Sequence, residues 1–297
     1  MNMWLKGVAD IRPMYSGFVL AVWALVLGLP AAQAETVAFW RLDASGGGLE
    51  LRNLAGTNYA FEARNGGPAP SYRKPLARVP AWAELPASSR GGGRNGSSVL
   101  FGYEERAAGA YLCGPAVGRL LELDGRFTVE GWLRKLDDPP EGGERFVAGV
   151  RDGRKGWSLS LRRAAGAVCF RLQAAGAASG PVLDHCFAGT DGAGDFRWQH
   201  VALTYDAARG KSGVWELFVN GASKGCAENP EKFLPHGCPD LFLGGLAGSG
   251  DTFCGELDLW RVSDEPLPPA RLLCRSVPKT LAFWPLEIGR ASCRERV

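Results

Sequence analysis

The stretch WQHVALTYDAARGKSGVWELFVNG, residues 198–221, decides the fold. In WELFVNG the residues Trp215, Leu217 and Val219 fall on one side of an extended chain, and Glu216 and Phe218 fall on the other. That period of two is the pattern of a β-strand with one face in a core. Asn220 and Gly221 follow at once, and both tolerate the positive φ that a tight turn needs. WQHVALTYD before it reads as a second strand, and the polar DAARGKSG joins the two. The segment is therefore a β-hairpin.

The same grammar extends in both directions. TVAFWRL (36–42), SSVLFGY (97–103), AYLCG (110–114), FTVEGWLR (127–134), RFVAGVR (145–151), WSLSLRR (157–163), AVCFRLQ (167–173), VLDHCF (182–187), LFLGGL (241–246) and CGELDLWRV (254–262) are further strand candidates. They recur about every ten residues, with turn formers such as RDGRKG between them, as in a sandwich or barrel. Composition agrees. Gly 41 and Pro 19 make up about a fifth of the 297 residues, against 22% charged, which suits many short strands and tight turns. No long helical period competes, and one main domain is the expectation.

The two ends read differently from the middle. Lys6 and Arg12 precede the apolar run GFVLAVWALVLGLP (17–30), and AAQA supplies the small residues of a cleavage site, so residues 1–34 read as a secretory signal peptide cut after Ala34. The run is short for a membrane span, and no membrane insertion is expected after cleavage. At the other end TVAFWRLD (36–43) recurs as TLAFWPLE (280–287), which reads as the start of a truncated second repeat at 277–287. The last ten residues, IGRASCRERV (288–297), break the pattern and resemble read-through into vector sequence, a non-native tail. That tail carries three Arg and one Glu, and the signal region carries Lys6, Arg12 and Asp10, so the formal +3 of the whole chain falls to 0 for 35–287. No nucleic-acid partner is implied.

Five of the segments above, FTVEGWLR, WQHVALTYD, WELFVNGASKG (215–225), LFLGG (241–245) and GELDLWRVSDEPLPPARL (255–272), resemble in order and spacing the motifs of laminin-G-like domains of the concanavalin A-like lectin/glucanase superfamily. The resemblance covers roughly residues 36–274, within a domain expected at 35–276. It implies an all-β fold, a two-sheet antiparallel jelly-roll sandwich, in which the last strand returns beside the first and PLPPARLL forms a short helical turn after it.

Glucanases of that superfamily carry Glu, Asp and Glu at alternate positions of one strand, where period-two geometry aims all three at one sugar. Here Glu256 and Asp258 fill the first two places, but Trp260 stands in the third, so the general acid/base is missing. The strand is apolar on both sides, which requires either cover on both faces or a bulge. Related domains also hold calcium at the sandwich rim; Asp206, Asp251 and Asp258 are the candidate oxygen ligands, and calcium is the one cofactor implied. Among the tryptophans, Trp40, Trp132, Trp198 and Trp260 sit inside strand motifs and read as core, whereas Trp82 and Trp157 flank loops and read as an exposed sugar-stacking platform. His200 is expected to satisfy a local hydrogen bond.

Cysteine usage fits export, with spacings that suggest pairing of Cys169 with Cys186 and of Cys226 with Cys238. The expected function is a secreted, non-catalytic module that binds a glycan, such as a polysaccharide, or an extracellular protein, as the N-terminal part of a larger protein. The alternative is an accessory module of a glycoside hydrolase, or itself a degenerate one, of glucanase or sialidase type.

Overall fold

The computed structural model describes residues 35–40, 42, 44–45, 48–49, 54–55, 59–65, 71–73, 98–102, 110–121, 125–152, 155–175, 182–187, 197–230, 238–246 and 251–274. The signal peptide at 1–34, Trp82, the second repeat at 277–287 and the tail at 288–297 lie outside them. No helix of the described residues is long and apolar enough to cross a membrane.

Seventeen strands are described, in chain order β1 (Thr36–Trp40), β2 (Ala44–Ser45), β3 (Gly48–Leu49), β4 (Glu62–Asn65), β5 (Ser71–Arg73), β6 (Ser98–Phe101), β7 (Ala110–Gly114), β8 (Arg126–Lys135) and β9 (Glu144–Asp152). There follow β10 (Lys155–Ala164), β11 (Ala167–Ala175), β12 (Val182–Phe187), β13 (Gln199–Asp206), β14 (Val214–Val219), β15 (Ala222–Glu228), β16 (Leu241–Leu243) and β17 (Gly255–Ser263). The first sheet runs β15-β14-β13-β8-β17-β6-β5, with β1 also paired to β17. The second runs β12-β11-β10-β9-β16-β7-β4, and β2 and β3 form a small ribbon. Every strand pair in both sheets is antiparallel. The chain folds as the two-sheet antiparallel sandwich that its resemblance to laminin-G-like domains implies.

The hairpin of 198–221 forms in register, with Val201 opposite Val219 and Tyr205 opposite Trp215. Asn220 and Gly221 adopt φ of 51° and 75°, the doubly positive turn that suits the twist of two antiparallel strands. Between the sheets lies one continuous core. At its centre Trp157 stacks on Phe127 at 5.9 Å and meets Trp215 edge-on at 5.6 Å, while Tyr205 lies 4.6 Å from Trp215.

A bulge in β17 resolves the mixed polarity of GELDLWRVS. Asp258 pairs with Trp132 and Arg261 with Glu130, so Leu259 and Trp260 together oppose the single residue Gly131 of β8. The extra residue resets the phase. Leu257, Trp260 and Val262 all enter the inter-sheet core, and Glu256, Asp258, Leu259, Arg261 and Ser263 turn to the other face. Leu259 takes the left-handed conformation, φ 42°, and its N–H is held by its neighbour, donating to Asp258 Oδ1 at 2.8 Å. Gly131 is required opposite the bulge, because a Cβ there would lie 2.5 Å from the Trp260 ring.

Gly131→Ala is therefore expected to destabilise the fold by about 1–3 kcal/mol, the usual cost of overpacking. Urea denaturation measures it; an unchanged midpoint would mean that the indole does not sit over this backbone.

Candidate functional site

Two sheet faces point away from the core, and they differ in what lies on them. The outer face of the first sheet holds the carboxylates of the glucanase-like strand. Glu256 is 0% exposed; its carboxylate accepts from Arg134 Nη2 at 2.7 Å and from Ser98 Oγ at 2.8 Å. The Arg134 guanidinium in turn sits 6.0 Å over the Trp198 ring, a cation–π contact. Asp258, also 0% exposed, caps the bulge. Neither carboxylate reaches solvent, so neither can meet a sugar.

One turn of pleat further along β17 lies a second buried ionic group. Arg261 Nε donates to Glu130 Oε1 at 2.6 Å, His200 Nε2 lies 2.9 Å from Glu130 Oε2, and the Leu273 N–H donates to the same oxygen at 2.7 Å. Arg261 Nη2 also donates to the Arg271 carbonyl at 2.7 Å. Burial by itself would push the Glu130 carboxyl up. The Arg261 guanidinium, His200 and the Leu273 N–H outweigh it and hold the carboxyl below its ordinary value. These bonds fasten the segment after β17, with its 3-10 turn at Pro269–Arg271, over the sheet. Two satellite clusters complete the cover: Phe39, Trp132, Trp198, Leu259 and Leu273 in one, and Ala202, Phe218, Leu267 and Leu272 in the other. His200 thus makes the hydrogen bond expected of it, across strands rather than locally.

The outer face of the second sheet carries no hydrophobic cluster among the described residues. Register puts Gln173, Ser158, Gly149, Phe242 and Cys113 in one row across β11, β10, β9, β16 and β7; Phe242 and Gln173 are half-buried, and Ser158, Gly149 and Cys113 between and beside them are buried. Phe242 is partly exposed and meets Tyr111 edge-on at 5.8 Å. Beside this row Arg171 Nε donates to Asp184 Oδ1 at 2.6 Å, and Arg171 also pairs with Glu144. From Phe242 to Gln173 is three strand spacings, about 14 Å. An aromatic ring, a side-chain amide and an Arg–carboxylate pair along such a row supply the apolar stacking and the fixed polar groups that saccharide recognition needs.

Several expected site residues lie elsewhere. Trp157 is not an exposed platform: β10 already begins at Lys155, so its indole turns inward and is 1% exposed, packed on Phe127 and Trp215. The three aspartates do not converge as a calcium site. Asp206 pairs with Arg126 and lies six residues along β13 from His200, whose row holds Asp258, about 20 Å away. Asp251 binds through its carbonyl to the Phe146 N–H of the second sheet. Among the described residues no group of three His, Cys, Asp or Glu could hold a metal ion. Cys226 is exposed on β15 of the first sheet whereas Cys238 is buried in the core, so this expected pair is not brought together. Cys169 and Cys186 lie on adjacent strands of the second sheet.

Phe242 was missed because LFLGG reads as a structural motif. Its signal was present, since Leu241 and Leu243 pointing inward require Phe242 to point out.

Glu130→Gln would leave Arg261 as an uncompensated buried charge, and a loss of about 3–5 kcal/mol is expected. In the parent chain the Glu130 value is lowered on folding. Its contribution is thus complete above the ordinary carboxylate value, about 4.3, and is lost as pH falls through the lower folded value. Denaturation curves from pH 7 to pH 3 check both points: the variant should start less stable and lose less on acidification.

A family model described as the concanavalin A-like lectin/glucanases superfamily, of laminin-G type, matches residues 106–272. No curated protein matches the chain. Among solved structures, domain 4 of AbnA, a GH43 extracellular arabinanase from Geobacillus stearothermophilus in complex with arabinotriose, superposes with a TM-score of 0.55 at 16% identity, covering 82% of this chain and 100% of that one. The binding domain of Paraclostridial Mosquitocidal Protein 1 gives 0.54 at 15% identity over 83% of this chain and 52% of that one. The binding domain of Botulinum Neurotoxin DC in complex with SialylT gives 0.54 at 12% identity, over 84% and 51%. The chain spans about half of each toxin domain, and at these identities the likeness is one of fold. With the family model matching more than half of its length, the chain belongs to the laminin-G-like domains of the concanavalin A-like lectin/glucanase superfamily.

Proposed function

We propose that this chain is a secreted, non-catalytic module that binds a glycan across the outer face of its second sheet. The observation that carries the reading is the contrast between the two faces. Glu256 and Asp258, the residues that would begin a hydrolytic site, are buried and engaged by Arg134, Ser98 and the Leu259 N–H. A buried carboxylate neutralised by a guanidinium can neither attack an anomeric carbon nor activate water. The row of Phe242 and Gln173, with Arg171 and Asp184 beside it, has the chemistry of a saccharide platform. The arabinotriose and SialylT complexes of proteins with this fold support a glycan over a protein ligand. A role as accessory module of a glycoside hydrolase is the second reading, favoured by the AbnA domain, which is one part of an arabinanase.

Affinity electrophoresis and calorimetry with arabinan, β-glucan and sialylated oligosaccharides test the proposal. At least one should be retained, and Phe242→Ala should weaken it by about tenfold, the equivalent of a lost stacking contact of about 1.4 kcal/mol. Retention of none, or undiminished binding by the variant, would sink the platform. Release of reducing ends that Glu256→Gln abolishes would make the protein a hydrolase instead. Sequencing the N-terminus of secreted material should return Glu35 first; an intact Met1 in material from the medium would contradict the signal peptide.

A further inference from the structure

The second sheet also carries a pair of thiols with no part in the glycan reading. Cys169 on β11 and Cys186 on β12 are both unbridged. Register places Arg171 opposite Cys186 and Gln173 opposite Asp184, so Cys169, Arg171, Asp184 and Cys186 all lie on the outer face. Arg171 reaches Asp184 along one diagonal of this ladder. Cys169 and Cys186 stand on the next diagonal of the same sense, two residues on along each strand, near enough for Cys186 to raise the Cys169 thiol.

We infer that Cys169 and Cys186 are a surface dithiol that closes into a disulfide by exchange with a small external disulfide. Cys186 is exposed and Cys169 half-buried, so Cys186 meets the reagent first. Burial, then the neighbouring Cys186, holds the Cys169 thiol at about 12, which suits it to resolve rather than to initiate. In the first step the Cys186 thiolate attacks one sulfur of the reagent. The S–S bond of the reagent breaks, one small thiolate leaves and takes up the proton Cys186 released, and a mixed disulfide remains. Cys169 then gives up its proton and attacks Cys186 Sγ, expelling the second small thiol. Two S–H bonds of the protein become one S–S bond, and two electrons pass to the reagent, recovered as two thiols. The bridge ties β12, which among the described residues pairs only with β11 at the sheet edge, to the sheet. Cys226 opens on the outer face of the first sheet, beside Glu216 and Arg209, and is an internal control.

The test is to incubate the full chain with oxidised glutathione, quench with acid, alkylate with N-ethylmaleimide and map the peptides. The expected result is loss of both alkylatable thiols, a single cross-link joining the peptides of Cys169 and Cys186, and a melting temperature that falls when dithiothreitol is added. Cys226 should not join the cross-link. Cys169→Ser should trap glutathione on Cys186, with tryptophan fluorescence like that of the parent to show an intact fold. A parent chain that accumulates the glutathione adduct on Cys186, or that keeps both thiols alkylatable, would overturn the inference.

Discussion

The bulge at Leu259 and the guanidinium two residues beyond it govern how the first sheet is built. Without the extra residue, a strand running Glu256 to Ser263 in strict alternation would send Trp260 to the same side as Glu256 and Asp258 and drive Arg261 into the core. One residue in a left-handed conformation costs on the order of 1–3 kcal/mol. It is offset by burying Trp260 against Gly131 and by delivering Arg261 to Glu130, two groups that would each be prohibitively expensive to bury alone. The bulge also marks where β17 changes partner, from β6 along Gly255–Leu257 to β1 along Trp260–Ser263.

The buried ionic groups show how a sheet can be covered on both faces and yet keep charge inside. Glu130 receives bonds from Arg261, His200 and the Leu273 backbone, so most of the acceptor capacity of its two oxygens is used. That matters more than the strength of any one bond, since an unsatisfied buried charge costs more than a satisfied one contributes. The same bonds recruit backbone groups of the segment after β17. The buried pair of Glu130 and Arg261 thus serves to hold the segment carrying Leu267, Leu272 and Leu273 on the sheet.

Much of the fold was legible. Alternation in WELFVNG and the doubly positive turn that follows are local, and local geometry is what residue spacing encodes. The site was less so. Trp157 stands beside a loop in the chain yet two residues inside a strand in space, and only the start of β10 at Lys155 separates the two readings. Phe242 carried a usable signal in its neighbours, but its partner Tyr111 is 131 residues away, and nothing in either segment announces the other. The aspartates failed for the same reason, because a metal site is a statement about convergence and period-two spacing says only which way each residue points.

By itself the sequence made legible most of the longer strands and the absence of a third carboxylate at position 260, which follow from residue type and short-range period, and its resemblance to laminin-G-like domains supplied the antiparallel sandwich and the family; the short strands β2, β3 and β5 and the strand β15 carried no such signal. That β17 is both covered on each face and bulged, that Glu256 and Asp258 are sealed, and that Cys169 and Cys186 fall on adjacent strands while Cys226 and Cys238 part were decided by tertiary structure alone. Those outcomes depend on register between strands far apart in the chain. A shift of one residue in that register reverses every side chain on a strand, and only the packed core, with Trp260 over Gly131 and Arg261 against Glu130, selects among the possibilities.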